Sequence, residues 1–347
     1  MQKHKIKIFG FIVFASIALT AVALIFWQGL QPFLVSKNIS LPFAKKEPAG
    51  VARLLDGVYL EKGETEKYPV AVMIDNKFEA RPQSGISFAG LVFEAPVEGG
   101  ITRFMAIFST DKKLEKVGPV RSVRPYYIDW ASEFSAFLMH IGGSPEALDI
   151  IASNPDIKKL NLDGNGEYFW RAADRYAPHN AYTSSEKFDL IRSAKLDSQD
   201  LKFLPWKFKD DAAEEARGDA KKITIDYSPY DNYDASWEYD RLKNVYVRQD
   251  KNGAFKTLED SLILAKNIAV VETDITIIDE VSRRHIVTIG GGNALIFQDG
   301  KKIEGKWEKK DQGSRLRFYD GSGKEIEFDR GTTWVEVVDD LGKVMEN

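Results

Sequence analysis

Hydrophobic and polar positions follow two different patterns along this chain. In the first pattern, short continuous apolar runs end in polar clusters, which is typical of buried strands whose ends present polar groups. The elements predicted from it are strands at 70–74, 91–93, 102–108 and 136–140 and a helix from Tyr126 to about 134. Further along, Ser144 followed by Pro145 predicts a capped helix that ends near Ser153. A second helix is expected from Ser184 or Ser185.

The second pattern occupies residues 222–338, where short alternating or β-branched runs recur between turn signals. Asp299-Gly300 and Asp320-Gly321 predict hairpin turns. The run Gly290-Gly291-Gly292 lacks the lysine of a phosphate loop and is predicted to be a turn between two strands. The fold class is therefore α+β: after one transmembrane helix, a mixed α/β domain precedes a β-rich domain.

The boundaries follow from where these patterns change. A charged stretch without clear period separates the two predicted domains, and a mixed stretch with several prolines precedes the first. The predicted organisation is a cytoplasmic tip and membrane anchor at 1–27, a stalk at 28–67, the α/β domain with the candidate site at 68–204, a linker at 205–220, the β-rich domain at 221–338 and a tail at 339–347.

The N-terminal stretch has the pattern of a membrane anchor. Lys3, Lys5 and Lys7 precede an uncharged apolar run at 8–27, which is about the 20 residues that cross a bilayer. The basic residues before the run place the N-terminus in the cytoplasm and the rest of the chain outside it. The prediction is a single-pass cell-membrane protein with extracytoplasmic domains. The alternative is a cleaved signal peptide, although the run is longer than such segments usually are.

Composition narrows the function classes. The chain has 347 residues, 48 basic against 52 acidic, and a formal net charge of −4, so a general nucleic-acid binder is not expected. It contains no cysteine, which excludes disulfides, thiol nucleophiles and thiolate metal sites and removes the acceptor for an N-terminal lipid.

Polar residues between the predicted strands form the candidate ligand site. Arginine carries a planar fork of donors that suits carboxylates and phosphates, so several converging arginines would bind an anion. The predicted ligand-binding residues are Asn76, Arg81, Thr102, Arg103, Arg121, Arg124, His140, Arg175, His179 and Asn180. The alternative is that the arginines form structural ion pairs with nearby carboxylates, namely Asp75, Glu94, Glu98, Asp129 and Asp174.

Three carboxylates are candidates for catalysis. Glu98 and Glu94 are four residues apart, but Pro96 between them excludes a shared helix face, and in a strand they would lie on one side. Glu98 would then serve as general acid or base, with Glu94 or Asp75 as its partner. Charge balance against the arginines is the alternative. No HxxxH or HxH spacing is present, so neither a metal nor a cofactor is expected.

A series of motifs resembles one known family. The motifs are MIDN, ARPQSG, EAPVEGGITRF, GPVRSVRPY, HIGGSPEAL, RYAPHNAYTS, GGGNALIFQDGKKIEGKW and GTTWVEVV. Together they resemble the YerB-like family of bacterial lipoproteins over residues 69–338. The resemblance implies two domains of unknown function and an association with a DNA helicase. The chain departs from the lipoprotein pattern because an apolar run replaces the lipidated cysteine.

Three functions remain open at this level. The first is an envelope protein that binds an anionic ligand, such as a cell-wall fragment, through the arginines. The second is a cell-wall hydrolase or lyase that uses Glu98. The third is a protein-interaction module that contacts another envelope protein. Partners are therefore the membrane and a wall polymer or envelope protein, with no direct nucleic acid.

Overall fold

The computed structural model describes residues 50–110, 112–163, 166–195, 203–219, 222–230 and 233–347. In the first half of this range, the apolar runs form strands buried on both faces, and prolines mark the first turn of three helices. In chain order the elements are β1 (Val70–Asp75), β2 (Leu91–Pro96), β3 (Thr102–Phe108), α1 (Pro125–Ser132), β4 (Phe137–His140), α2 (Pro145–Ser153), α3 (Pro155–Leu160), β5 (Asn161–Asp163), β6 (Trp170–Arg171), β7 (Ala181–Tyr182) and α4 (Ser185–Lys195).

The second half is built almost entirely of strands, with short helical turns between some of them. In order they are β8 (Lys207–Lys209), β9 (Lys222–Ile225), β10 (Ala235–Asp240), β11 (Val245–Asp250), β12 (Gly253–Ala254), β13 (Leu264–Ala265), β14 (Asn267–Glu272), β15 (Ile275–Ile277), β16 (Arg284–Ile286), β17 (Gly290–Gln298), β18 (Lys301–Lys309), β19 (Arg317–Asp320), β20 (Glu327–Asp329), β21 (Thr333–Val338) and β22 (Val344–Glu346). The predicted succession of a mixed α/β region and a β-rich region is confirmed.

The predicted helix cap at Ser144 is confirmed, since its side chain accepts a hydrogen bond from the backbone N–H of Ala147 at 3.3 Å. Sequence reasoning ended the helical region before Pro155 and so missed α3. Asn154 caps α3 by accepting from the N–H groups of Asp156 and Ile157. Proline stops one helix and begins the next here, because its missing N–H is harmless in a first turn.

One ten-stranded sheet runs through both halves in the order β19-β18-β17-β14-β21-β2-β3-β1-β4-β5. The junction is β21, which lies between β14 and β2 and is parallel to both. Its register places Glu336 beside Glu94. Gly50–Asn347 form one compact unit, so the predicted linker at 205–220 separates two stretches of sequence that share a sheet.

Each face of this sheet has its own core. Helix α1 covers one face, where the Phe93 and Trp130 rings stack with centroids 5.0 Å apart. A second sheet, in the order β12-β11-β10-β9-β22 with β13 beside β11, covers the other. There Trp237 meets Trp334 edge to face at 5.1 Å. The face of the ten-stranded sheet that α1 covers is the α1 face, and the face that the second sheet covers is the β10 face.

The prediction of a turn at Gly290-Gly291-Gly292 is wrong. These residues begin β17 and pair with Lys309, Glu308 and Trp307 of β18. A Cβ on Gly292 would lie 2.6 Å from the indole nitrogen of Trp307. That nitrogen donates to the backbone oxygen of Glu272, so the glycine makes room for an aromatic ring against the strand.

The predicted membrane anchor at 1–27 and most of the predicted stalk lie outside the described residues. Within the part of the chain that the structure describes, no helix is both long and apolar enough to cross a bilayer.

Candidate functional site

The predicted site residues gather where three strands of the ten-stranded sheet end or begin. Asp75 ends β1 and lies opposite Arg103 at the start of the antiparallel β3. Thr102 precedes Arg103, and Glu94 lies near the end of β2. Because successive side chains of a strand point to opposite faces, Asp75 and Arg103 lie on the α1 face, whereas Thr102 and Glu94 lie on the β10 face. The predicted single surface is therefore two sites, one on each face.

Asp75 is the centre of the α1 face. It is 1% exposed, and its Oδ2 lies 2.7 Å from Nδ1 of His179 and 2.9 Å from Nε of Arg121. Its Oδ1 accepts from the backbone N–H of Lys77. A carboxylate in this position orients the imidazole. The opposite ring nitrogen, Nε2, has no hydrogen-bond partner among the described residues.

Arg103 is the unusual cation of this face. It is 4% exposed, and its Nη1 donates to the backbone oxygen of Ser122 at 2.8 Å. Its Nε is buried and has no hydrogen-bond partner among the described residues, and no carboxylate oxygen there lies within ion-pair distance. Burial lowers the pKa of Arg103, and the nearby charge of Arg124 lowers it further.

Glu98 and Arg124 form a two-pronged ion pair at the edge of the same face. Nε and Nη2 of Arg124 lie 2.5 Å and 2.6 Å from the two carboxylate oxygens of Glu98. Burial raises the pKa of Glu98, but the hydrogen bonds and charge of Arg124 outweigh burial, and the net pKa is lowered. Glu98 is thus held as an ionised partner of Arg124, an arrangement that favours charge balance over proton transfer.

These groups give the α1 face a surplus of positive charge. Among the described residues of this cluster, the guanidinium groups of Arg103, Arg121 and Arg124 stand against the carboxylates of Asp75 and Glu98, so one cation has no anionic counterpart. Arg121 keeps 27% of its side chain exposed, which opens the cluster to water. A buried cation without a carboxylate partner, next to the partly exposed Arg121, is the arrangement expected of an anion site.

The β10 face holds a closed polar network. Nδ2 of Asn76 donates to the hydroxyl of Thr102 at 2.7 Å, and that hydroxyl donates to Oε1 of Glu94 at 2.6 Å. Oδ1 of Asn76 accepts from Nε of Arg81 and Nε2 of Gln83. Asn76 and Thr102 are therefore connectors within the protein, and Arg81 is separated from the arginines of the α1 face.

Glu94 continues this network into the second half of the chain. Nη1 of Arg248 lies 2.9 Å from Oε2 of Glu94 and 3.1 Å from Oε1 of Glu336. Trp237 and Tyr227 donate to the two oxygens of Glu336. Burial raises the pKa of Glu336 to about 8, and the charge of Glu94 adds to the effect while Arg248 opposes it.

Sequence reasoning missed Arg248 and Glu336. A signal existed, because Glu336 interrupts an otherwise apolar strand, TWVEVV, in which every residue is buried. A lone carboxylate in such a run requires a buried partner, and Arg248 in the alternating strand VYVRQD supplies it.

The remaining predicted residues have structural contacts. His140 is fully buried, and its two ring nitrogens bond the backbone oxygen of Gly142 and Oδ1 of Asn161. Arg175 donates to the backbone oxygens of Ala80 and Pro82. Asn180 accepts from Arg171. Arg175 and Asn180 support the loop that carries His179, and His140 has no nitrogen left for a ligand.

Within the described ranges, no three carboxylate or imidazole side chains are placed to hold a metal ion. A groove of about 1020 Å³ lies along β17 and β18, lined in part by Trp307 and Tyr319, and it contains none of the predicted site residues.

Sequence comparison places this geometry in a family. The family described as a protein of unknown function (DUF3048) matches twice, its N-terminal domain at residues 55–198 and its C-terminal domain at residues 223–335. A protein of Bacillus subtilis (strain 168) described as "Putative lipoprotein YerB" is 36% identical over 290 residues, which are 83% of this chain and 86% of that protein. This chain belongs to the YerB-like DUF3048 family.

Structural comparison agrees. The crystal structure of the YerB protein from Bacillus subtilis superposes with a TM-score of 0.76 at 32% identity, and the match covers 86% of this chain and 99% of that one. The expected family is thus confirmed, and its two domain descriptions assign no activity.

Proposed function

We propose that this protein is attached to the cell membrane, faces away from the cytoplasm and binds an anionic cell-wall fragment on its α1 face. The attachment is supported by the basic and apolar pattern at 3–27 and by the lipoprotein description of the Bacillus relative. The ligand class rests on Arg103, whose buried guanidinium has no carboxylate partner among the described residues.

The charges argue for an anion over a neutral ligand. Burying an arginine without a counterion is costly, and a carboxylate or phosphate that reached it would recover that cost through charge-assisted hydrogen bonds. Arg121 and Arg124 lie on either side with their own carboxylates already in place. A ligand would therefore place its charge beside Arg103, the one described cation of this cluster that lacks a carboxylate partner.

A retention assay on purified cell-wall sacculi tests this proposal. The compact unit Gly50–Asn347, its Arg103→Met variant and the control variant Arg241→Met would be incubated with intact sacculi and with sacculi stripped of phosphate polymers. We expect retention of the unmodified protein and of the control, and loss of retention for Arg103→Met. The stripped sample shows whether wall phosphates or peptide carboxylates are the ligand.

Retention that is equal for all three proteins would contradict the anion site. No retention of any protein would end the cell-wall proposal and leave protein interaction as the leading account. Arg241 is a suitable control because it is an exposed arginine that pairs with Glu214 and Asp219, outside the α1 face.

A second candidate function, hydrolysis on the same surface, is favoured by the contact between Asp75 and His179. Asp75 holds Nδ1 of His179, which leaves Nε2 as the base. Nε2 would accept a proton from a water molecule while the oxygen of that water bonds to an acyl carbon of the substrate. The displaced group would then leave with the proton from the imidazolium. In this reaction His179 takes the role that the sequence gives to Glu98, since Glu98 is bound by Arg124.

The same incubations distinguish the two candidates when released fragments are analysed by mass spectrometry. Fragments that disappear with His179→Ala but persist with Glu98→Gln would establish an enzyme with His179 as its base. Retention without released fragments would leave the binding function alone. Release that depends on Glu98 would restore the catalytic role predicted for that residue.

A further inference from the structure

A cavity on the β10 face has the composition of a site for a small ligand. It has a volume of about 260 Å³ and lies between the segment at 78–81 and the ends of β11 and β12. The charged and aromatic residues that line it include Phe78, Arg81, Asp234, Arg248, Asp250 and Phe255. Its volume is below the range of about 300–1,000 Å³ that is usual for drug-sized ligands, so the ligand must be small.

Arg81 is held rigidly at one side of this cavity. Its Nε is bonded to the backbone oxygen and Oδ1 of Asn76, at 3.3 Å and 3.0 Å. Its guanidinium lies 5.3 Å from the ring centroids of both Tyr233 and Phe255. The two terminal nitrogens have no hydrogen-bond partner among the described residues, and none of the described carboxylates forms an ion pair with Arg81. The cavity thus contains a fixed cation with two donors available.

Arg248 lines the same cavity, but its guanidinium already forms ion pairs with Glu94 and Glu336. The positive charge of Arg248 also disfavours a cationic ligand group next to it. Burial and then the charge of Arg248 lower the pKa of Arg81, whereas Glu94, Tyr233 and Asp250 act in the opposite direction. Asp250 is thus close enough to influence Arg81 without forming a salt bridge to it.

Carboxylates and aromatic rings line the rest of the cavity. Asp234 and Asp250 contribute acidic groups, and Lys251 is a third cation beside Arg81 and Arg248. Phe78 is 61% exposed, so a large apolar ring stands at the entrance with water on most of its surface. The lining therefore combines three cations, two carboxylates and apolar rings around one small volume.

We propose that this cavity binds a small zwitterion, namely a free amino acid or a dipeptide. The ligand's carboxylate contacts the terminal nitrogens of Arg81, its ammonium group lies against Asp250, and its side chain packs on Phe78 and Phe255. A ligand with only positive charge would face Arg81, Arg248 and Lys251, and one with only negative charge would face Asp250. A zwitterion satisfies both ends of the cavity.

Capping each end of the ligand tests the proposal with the unmodified protein. Glycine, alanine, glutamate, phenylalanine and alanyl-alanine would be titrated calorimetrically into the full chain, each as the free form, the N-acetyl form and the C-terminal amide. We expect at least one free form to bind and each of its capped forms to bind at least about tenfold more weakly. Equal binding of free and capped forms, or no binding of any free form, would overturn the proposal.

Two variants then test which residue contacts the ligand's ammonium group and which contacts its carboxylate. Asp250→Asn is expected to weaken the free ligand at least about tenfold and to leave the affinity for its N-acetyl form unchanged, because that form has no ammonium group. Arg81→Gln is expected to weaken the free and N-acetyl forms alike. Asp240→Asn is the matched control, since Asp240 pairs with Lys243 at the other end of the same two strands and does not line the cavity. Loss of affinity for the N-acetyl form in Asp250→Asn would refute the assignment.

This cavity and the α1 face are independent. Arg103 does not line the cavity, and Arg81 does not contact the Asp75 cluster. Failure of the sacculus assay would therefore leave the zwitterion proposal unaffected, and the reverse also holds.

Discussion

The two faces of the sheet at Asp75 and Asn76 treat buried charge in opposite ways. In the cluster around Asp75 on the α1 face, three of the described arginines meet two carboxylates, and the unmatched group is the guanidinium of Arg103. Among the described residues of the β10 face, Glu94 and Glu336 both form ion pairs with Arg248, so this group of three has one carboxylate more than it has cations. Arg81 lies in the neighbouring cavity and pairs with neither glutamate. The first face remains open to water through Arg121, whereas Arg248 and both glutamates are almost completely buried.

This difference separates a structural network from a candidate ligand site. The group of Glu94, Glu336 and Arg248 can neutralise its surplus carboxylate with a proton, so it needs no external ion. An arginine does not release its proton so readily, and Arg103 therefore retains a charge that an external anion would balance. The network also joins β2 to β21, the contact between the two halves of the sequence. We expect substitutions on the two faces to have different effects.

The largest effect is expected from Arg248→Met. This change leaves Glu94 and Glu336 facing one another without a cation, and breaking a buried ion pair in this way typically costs about 3–5 kcal/mol. Urea unfolding followed by tryptophan fluorescence measures it. Lys243→Met, which breaks an exposed pair with Asp240, is the control and should change stability by less than about 1 kcal/mol. Equal small losses in both variants would show that the network is not structural.

The next effect is a pH dependence that depends on Glu336. Its pKa is raised from an ordinary value of 4.5 to about 8, so the folded state binds a proton that the unfolded state has released. Stability from this group is therefore full below the ordinary value and is lost as pH rises through the folded pKa. In Glu336→Gln the amide mimics the protonated acid and removes this loss.

The measurement is the free energy of unfolding of both proteins at several pH values. Between about pH 5 and pH 8, the unmodified protein should lose about 2 kcal/mol or more relative to Glu336→Gln, since each unit of pKa shift corresponds to about 1.4 kcal/mol. Asp329, whose pKa is raised to about 6, is present in both proteins and cancels in the difference. Parallel curves would mean that Glu336 is ionised in the folded protein.

A smaller effect is expected from Glu98→Gln on the α1 face. Arg124 loses its ionised partner there, but the pair is partly exposed, so the loss should be about 1 kcal/mol. The change also adds one net positive charge to the face. If the face binds anions, retention on sacculi should increase at low salt, and the increase should disappear as salt screens the added charge. Unchanged retention would place the ligand away from Glu98.

The fold was largely predictable because its strongest signals are local. Continuous apolar runs located β1, β2 and β3, and a serine before a proline located the start of α2. The pairing of β2 with β21 was not predictable, because these strands are about 240 residues apart in sequence and no local pattern specifies which strands become neighbours. The glycine run that begins β17 misled for a related reason, since Gly292 accommodates the Trp307 ring of the neighbouring strand.

The candidate site was predictable in its residues but not in its arrangement. Sequence proximity grouped Arg81 with Arg103, although strand alternation at Asp75 and Asn76, and again at Thr102 and Arg103, assigns neighbours to opposite faces. If strand alternation had been applied to each of these pairs of neighbours, it would have divided the predicted site residues between the two faces. The buried position of His140 and the contact of His179 with Asp75 depend on loops that no periodicity describes.

The smallest change in stability is expected from Arg103→Met, the direct counterpart of Arg248→Met. It removes one hydrogen bond to Ser122, worth about 1 kcal/mol, but it also removes a buried cation that has no ion pair, so the two terms largely offset one another. Urea unfolding alongside Arg248→Met should show a change of less than about 1 kcal/mol in either direction. A loss as large as that of Arg248→Met would mean that Arg103 is a structural cation with a strong internal partner. The α1 face would then have no surplus charge to offer a ligand, and loss of retention by this variant would reflect misfolding.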